Sequence, residues 1–106
     1  MQSIITDRTP GLYEAITVSN TAVGFSEAYK NPRSGLFNRF QAKEVFVTVE
    51  TDSIRYTLDG STTPTDAVGH LVYAGQSISI KNVVAIQNFS MIRVTTDASV
   101  KVTYFF

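Results

Sequence analysis

The chain of 106 residues has no cysteine, no tryptophan, one histidine and three prolines. Without cysteine there is no disulfide, no thiolate nucleophile and no Cys-ligated zinc, and nothing in the sequence marks a redox compartment. Charge is also scarce. Asp, Glu, Lys and Arg make up 17% of residues, against roughly 25% in an average domain. Nine basic and nine acidic residues cancel, which disfavours nucleic acid as a partner, because such binders carry a basic excess. No apolar run approaches the ~18 residues of a membrane span, so no membrane partner is expected. The opening MQSIITDRTPGLYE lacks a basic segment followed by an apolar one. It does not resemble a secretory signal, and the expectation is a protein made in a cytoplasm and used as synthesised.

What is present favours strands. Thr, Ser, Val, Ile, Tyr and Phe dominate, and β-branched and aromatic side chains suit a pleated, half-buried surface. The length predicts one domain over residues 1–106, which buries about 60–70% of the surface of its unfolded chain. The periodicity is two. YEAITVS (Tyr13–Ser19) alternates around Ile16 and Val18. AVGF (Ala22–Phe25) reads as a short return segment. KEVFVTVE (Lys43–Glu50) sets Val45, Val47 and Val49 on one face and Phe46, Thr48 and Glu50 on the other. SIRYTL, HLVYA, QSISIK and FSMIRVTT continue the pattern, and ASVKVTYFF aligns Val100, Val102, Tyr104 and Phe106. NVVAIQN (Asn82–Asn88) fits a helical turn or a bend. About eight short strands separated by turn residues predict an all-β antiparallel sandwich, jelly-roll-like or Ig-like. The stretch from Ser26 to Ala42 contains Pro32 and Gly35 and reads as a long loop, of the kind that often carries function.

The segment IRYTLDGSTTPT (Ile54–Thr65) is the first candidate for chemistry. Asp59-Gly60 is turn grammar, since Gly tolerates positive φ and Asp bonds to nearby amides. Ser61, Thr62 and Thr63 cap backbone groups there, and Pro64 stops onward pairing. A calcium site using Asp59 and Asp66 would need six to eight oxygens, and no D-x-D-type cluster supplies them. A Ser-His-Asp site would have to use His70, Asp66 and one of ten serines, with no G-x-S-x-G elbow present. The reading is therefore no enzyme, no catalytic residue, no metal and no cofactor.

The run IRYTLDGSTTPTDAVGHLVYAGQSISIKN followed by FSMIRVTTDASVKVTYFF resembles small virion proteins of tailed phages, over roughly Val45 to Phe106. The shared pattern is a strand, a D-G-(S/T)-x-P-T turn, a G-H-x-L step, an A-G-x-S strand and a terminal strand ending in aromatics. Its first part also resembles the I-x-Y-T-x-D-G-x-x-P-T signature of fibronectin-like modules on chitin- and hexosamine-degrading enzymes. One extra Thr before Pro64 departs from that spacing. The phage resemblance implies a non-enzymatic structural component located in the virion, capsid decoration or stabilisation first. Major capsid or other virion proteins would be its partners, and a homo-oligomer, with a trimer favoured, its assembly. The second resemblance implies a carbohydrate-binding or fibre and tail adhesion module with Tyr13, Tyr29 or Tyr73 as sugar platforms.

Two features read as partner-binding. KNPRSGLFNRFQAK holds Lys30, Arg33, Arg39 and Lys43 without an acid, interleaved with Leu36, Phe37 and Phe40. Arg and aromatic residues are enriched at protein interfaces. Basic and aromatic residues together also suit phosphate backbones and bases, but the zero net charge weighs against nucleic acid. Phe37 and Phe40 could equally tuck under the sandwich while the cations stay solvated. At the other candidate, Phe105 and Phe106 fall on opposite faces of the last strand. If one ring is core, the other is expected to need cover from a partner, or to sit partly exposed at a frayed chain end.

Overall fold

The computed structural model describes residues 10–26 and 42–106. They form β1 (Pro10–Val18), β2 (Glu44–Glu50), β3 (Ile54–Thr57), β4 (His70–Val72), β5 (Ser77–Ile80), α1 (Val83–Asn88), β6 (Ser90–Arg93) and β7 (Ala98–Phe105). A four-stranded sheet has the order β1-β7-β2-β5 and a three-stranded sheet the order β4-β3-β6. Every pairing is antiparallel. This is the all-β sandwich that the periodicity predicts, with seven strands among the described residues rather than about eight. The difference is AVGF. Too short for a ladder, it makes one bridge, in which Val23 and Met91 exchange N–H···O bonds of 2.9 and 2.8 Å.

Alternation decides what goes inside. Val45, Val47 and Val49 of β2 face the interior beside Ala98, Val100, Val102 and Tyr104 of β7, all buried. Ile54, Val72 and Met91 answer from the other sheet. Between them an aromatic column crosses the sandwich. Tyr104 meets Phe25 edge-on at 5.9 Å, Phe25 stacks on Phe89 at 4.4 Å and 7°, and Phe89 stacks on Tyr56 at 5.3 Å. His70 closes the column against Tyr56 at 5.3 Å. Such pairs contribute about 0.5–1.5 kcal/mol each beyond the area they bury. At the opposite end, the buried Tyr104 hydroxyl donates to Glu14 on β1.

NVVAIQN resolves as a short helix. Asn82 caps α1 by accepting from the Ala85 amide at 3.0 Å, and Ile86 drops into the core. The β2–β3 connection is tighter than its sequence suggests. Thr51 has φ 78°, and the Asp52 amide donates to the Glu50 carbonyl at 2.9 Å. Together these describe a γ-turn with a β-branched residue at its strained centre. The Asp52 carboxylate holds it in place, accepting from the amides of Thr95 and Thr96 at 3.2 and 2.6 Å. Those bonds, with Thr96 first, lower the Asp52 pKa. No helix among the described residues is long and apolar enough to cross a membrane.

Two stability outcomes follow from this packing. Phe89→Ala removes the middle ring of the column and should destabilise the domain by about 3–5 kcal/mol, read from the urea midpoint. Thr51→Gly relieves a conformation that costs on the order of 1–3 kcal/mol. Allowing for the extra freedom of glycine in the unfolded chain, it should raise stability by about 1 kcal/mol in the same assay.

Candidate functional site

The Asp59–His70 loop lies between β3 and β4, and its side chains turn inward on their own backbone. Asp59 Oδ1 accepts from the amides of Ser61 and Thr62 at 3.1 and 2.9 Å, and Oδ2 accepts from the Thr62 hydroxyl at 2.6 Å. Gly60, at φ 76°, makes this turn, and the Asn88 amide group lies where a Cβ would sit. Thr57 donates its hydroxyl to the Thr62 carbonyl at 2.7 Å. Pro64 is buried and anchors the middle of the loop. Thr65 and Val68 then exchange backbone bonds of 3.0 and 3.2 Å.

Arg55 ties the far side. From β3 its guanidinium donates to the Asp66 carbonyl through Nε and to the Gly69 carbonyl through Nη1, both at 3.0 Å. Gly69 has φ 123°, and the Tyr56 carbonyl oxygen lies 3.0 Å from where its Cβ would be. Only glycine lets the loop pass this close to β3. The periodicity shows Arg55 as one more outward residue of a strand. Its role as a clamp depends on where the loop returns, which local pattern does not encode.

Thr57, Leu58, Asp59, Thr62, Val68, Gly69 and His70 line a depression of about 430 Å³. Its chemistry is limited by what its polar groups already do. The bonds from Thr62, first through its hydroxyl and then its amide, and from the Ser61 amide lower the Asp59 pKa to about 2. A carboxylate that acidic is a weak proton acceptor near neutral pH. His70 is exposed at its side chain and leans on Tyr56. Among the described residues no group of three or more His, Cys, Asp or Glu side chains is placed to hold a metal ion.

The six loop residues predicted to bind a partner, Lys30, Arg33, Leu36, Phe37, Arg39 and Phe40, lie outside the described residues. The two terminal ones are located. Phe105, on the outward face of β7, is 3% exposed, in register with Glu44 on one side and Pro10 on the other. Phe106 is partly buried against the core, with its ring where a Gly11 side chain would have been. The expectation that one of these rings needs outside cover is therefore corrected. The chain itself covers Phe105, and glycine at position 11 makes room for Phe106.

Sequence reading gave no role to β1 as an edge. It occupies one margin of the four-stranded sheet, with Leu12 37% and Tyr13 63% exposed. A nine-residue strand without lysine is the only signal that could have drawn attention to it.

The sign of the Asp59 effect is definite. Its pKa is depressed from 3.8 to about 2 on folding, so its contribution is present above pH 3.8 and is lost as pH falls through 2. The wild type should therefore be more stable than Asp59→Asn at pH 5, with the gap closing by pH 2. Urea titrations of both proteins across that range check it. No family model, no curated protein and no solved structure matches this chain.

Proposed function

We propose that the protein is a non-enzymatic structural component of a tailed-phage virion, holding to a coat-protein surface by adhesion. One observation carries the non-enzymatic part. At the place in the sequence richest in candidate chemistry, the polar groups are spent on ordering the loop. Asp59 accepts three hydrogen bonds from its own turn, and Arg55 donates two to loop carbonyls. The virion part rests on the pattern running from Val45 to Phe106 and on its compatibility with a small sandwich. Capsid decoration or stabilisation is the specific role proposed, with Lys30, Arg33, Leu36, Phe37, Arg39 and Phe40 as the contact residues. Apolar rings would bury against the coat while the two arginines pair with acidic groups there.

A second reading, a glycan-binding adhesion module, is favoured by the exposure of Tyr13 at 63% and Tyr73 at 58%. Exposed aromatic rings offer the apolar faces on which sugar rings stack.

Phe37→Ser combined with Phe40→Ser should abolish co-sedimentation with capsids while leaving the far-ultraviolet circular dichroism unchanged. Retained binding by the folded variant overturns the adhesion assignment. Reproducible binding on a glycan array by both proteins would favour the second reading.

A further inference from the structure

Among the described residues the two sheets have four edges. β5, β4 and β6 are edges of four, three and four residues, and β6 is further covered by the Val23–Met91 bridge. Short edges are a common defence against unwanted pairing. β1 is an edge of nine residues.

The direction of its peptide groups follows from the register. The Val49 amide donates to the Gln76 carbonyl and the Val49 carbonyl accepts from Gly75, so Val49 turns its polar groups to β5. Within a strand this direction alternates from residue to residue. Glu44, Phe46, Thr48 and Glu50 therefore face β7, against Phe105, Thr103, Lys101 and Ser99. Tyr104, Val102, Val100 and Ala98 are left to serve β1, against Leu12, Glu14, Ile16 and Val18. Tyr13, Ala15 and Thr17 then point their N–H and C=O groups away from the sheet. Among the described residues nothing pairs with them.

The usual guards are weak along this edge. Pro10 and the irregularity between Pro10 and Leu12 protect only one end. The single charge, Glu14, belongs to the inward face, where it accepts from Tyr104. No lysine interrupts the strand.

We infer that β1 is a self-association edge, pairing antiparallel with β1 of a second copy about a two-fold axis at Ala15. In that register Ala15 pairs with Ala15 and Tyr13 with Thr17 of the second copy, each through the outward groups. Glu14 then lies opposite Ile16. A register centred on Glu14 would set two carboxylates face to face, which is unfavourable. One centred on Tyr13 runs into the irregularity at Gly11. Ala15 is small enough for close approach on the axis. A chain of zero net charge does not repel its own copy. The same antiparallel geometry makes the edge self-complementary, as a two-fold interface requires.

Sedimentation equilibrium of the full chain over a range of concentrations tests this, with amide hydrogen exchange as a second readout. The wild type should show a monomer–dimer equilibrium, and protection of the Tyr13, Ala15 and Thr17 amides should rise with concentration. Ala15→Pro removes an outward N–H without touching the β1–β7 ladder. Ala15→Lys places like charges on the axis and keeps the backbone intact. Each should raise the dimer Kd by about tenfold or more. If the proline variant fails to fold, the lysine variant decides. A wild type that stays monomeric at its solubility limit, or that forms trimers, overturns the inference. So does a dimer undiminished in folded Ala15→Lys. Protection independent of concentration would mean the edge is paired within its own chain. Protection gained only on adding capsids would mean a coat strand occupies it. Either result also overturns the proposal.

Discussion

Phe25, Phe89 and Tyr56 stack face to face between the two sheets, and this column sets the distance and orientation at which the sheets can meet. None of the three rings comes from the four-stranded sheet. Phe25 follows a single bridge, Phe89 caps the end of α1, and Tyr56 lies on β3. Tyr104 connects them to the larger sheet by an edge-on contact. Segments that ladders hold poorly are thus held by burial. Each ring removes a large apolar area from water, and a well-packed interior tolerates little change in volume. Both ends of the column are polar. Tyr104 reaches Glu14 at one end, and His70 sits at the other. The lone histidine packs its ring against Tyr56.

The same economy governs the surface. Polar side chains of the loops serve the backbone. Asp59 orders one turn, Asp52 ties the β2–β3 turn to the segment before β7, and Arg55 clamps a loop to its strand. Fixed in this way, the loops hold a defined shape through their own side chains.

The sandwich was legible because the valines of β2 and β7 alternate without interruption, and one face of each strand is buried. The Asp59-Gly60 turn was legible because its residues have few other uses. What could not be read depends on partners distant in sequence. Val23 finds Met91, Arg55 finds the carbonyls of Asp66 and Gly69, and Phe106 finds Gly11. Alternation also says nothing of strand order, so β1 gave no sign of being an edge. The γ-turn at Thr51 went unseen because a β-branched residue at positive φ runs against local preference. Tertiary bonds from Asp52 stabilise it there.

β7 lies in the middle of the larger sheet, yet it joins β1 across some 90 positions. During translation, β1 and β2 emerge early and wait with no shared neighbour. Their apolar faces can be closed only when residues 98–105 have left the ribosome. Folding is thus a late, largely non-local event, of the kind that is slow for its size. Interrupted synthesis upstream of β7 would leave no half-assembled sandwich able to act, only a chain exposed to proteases.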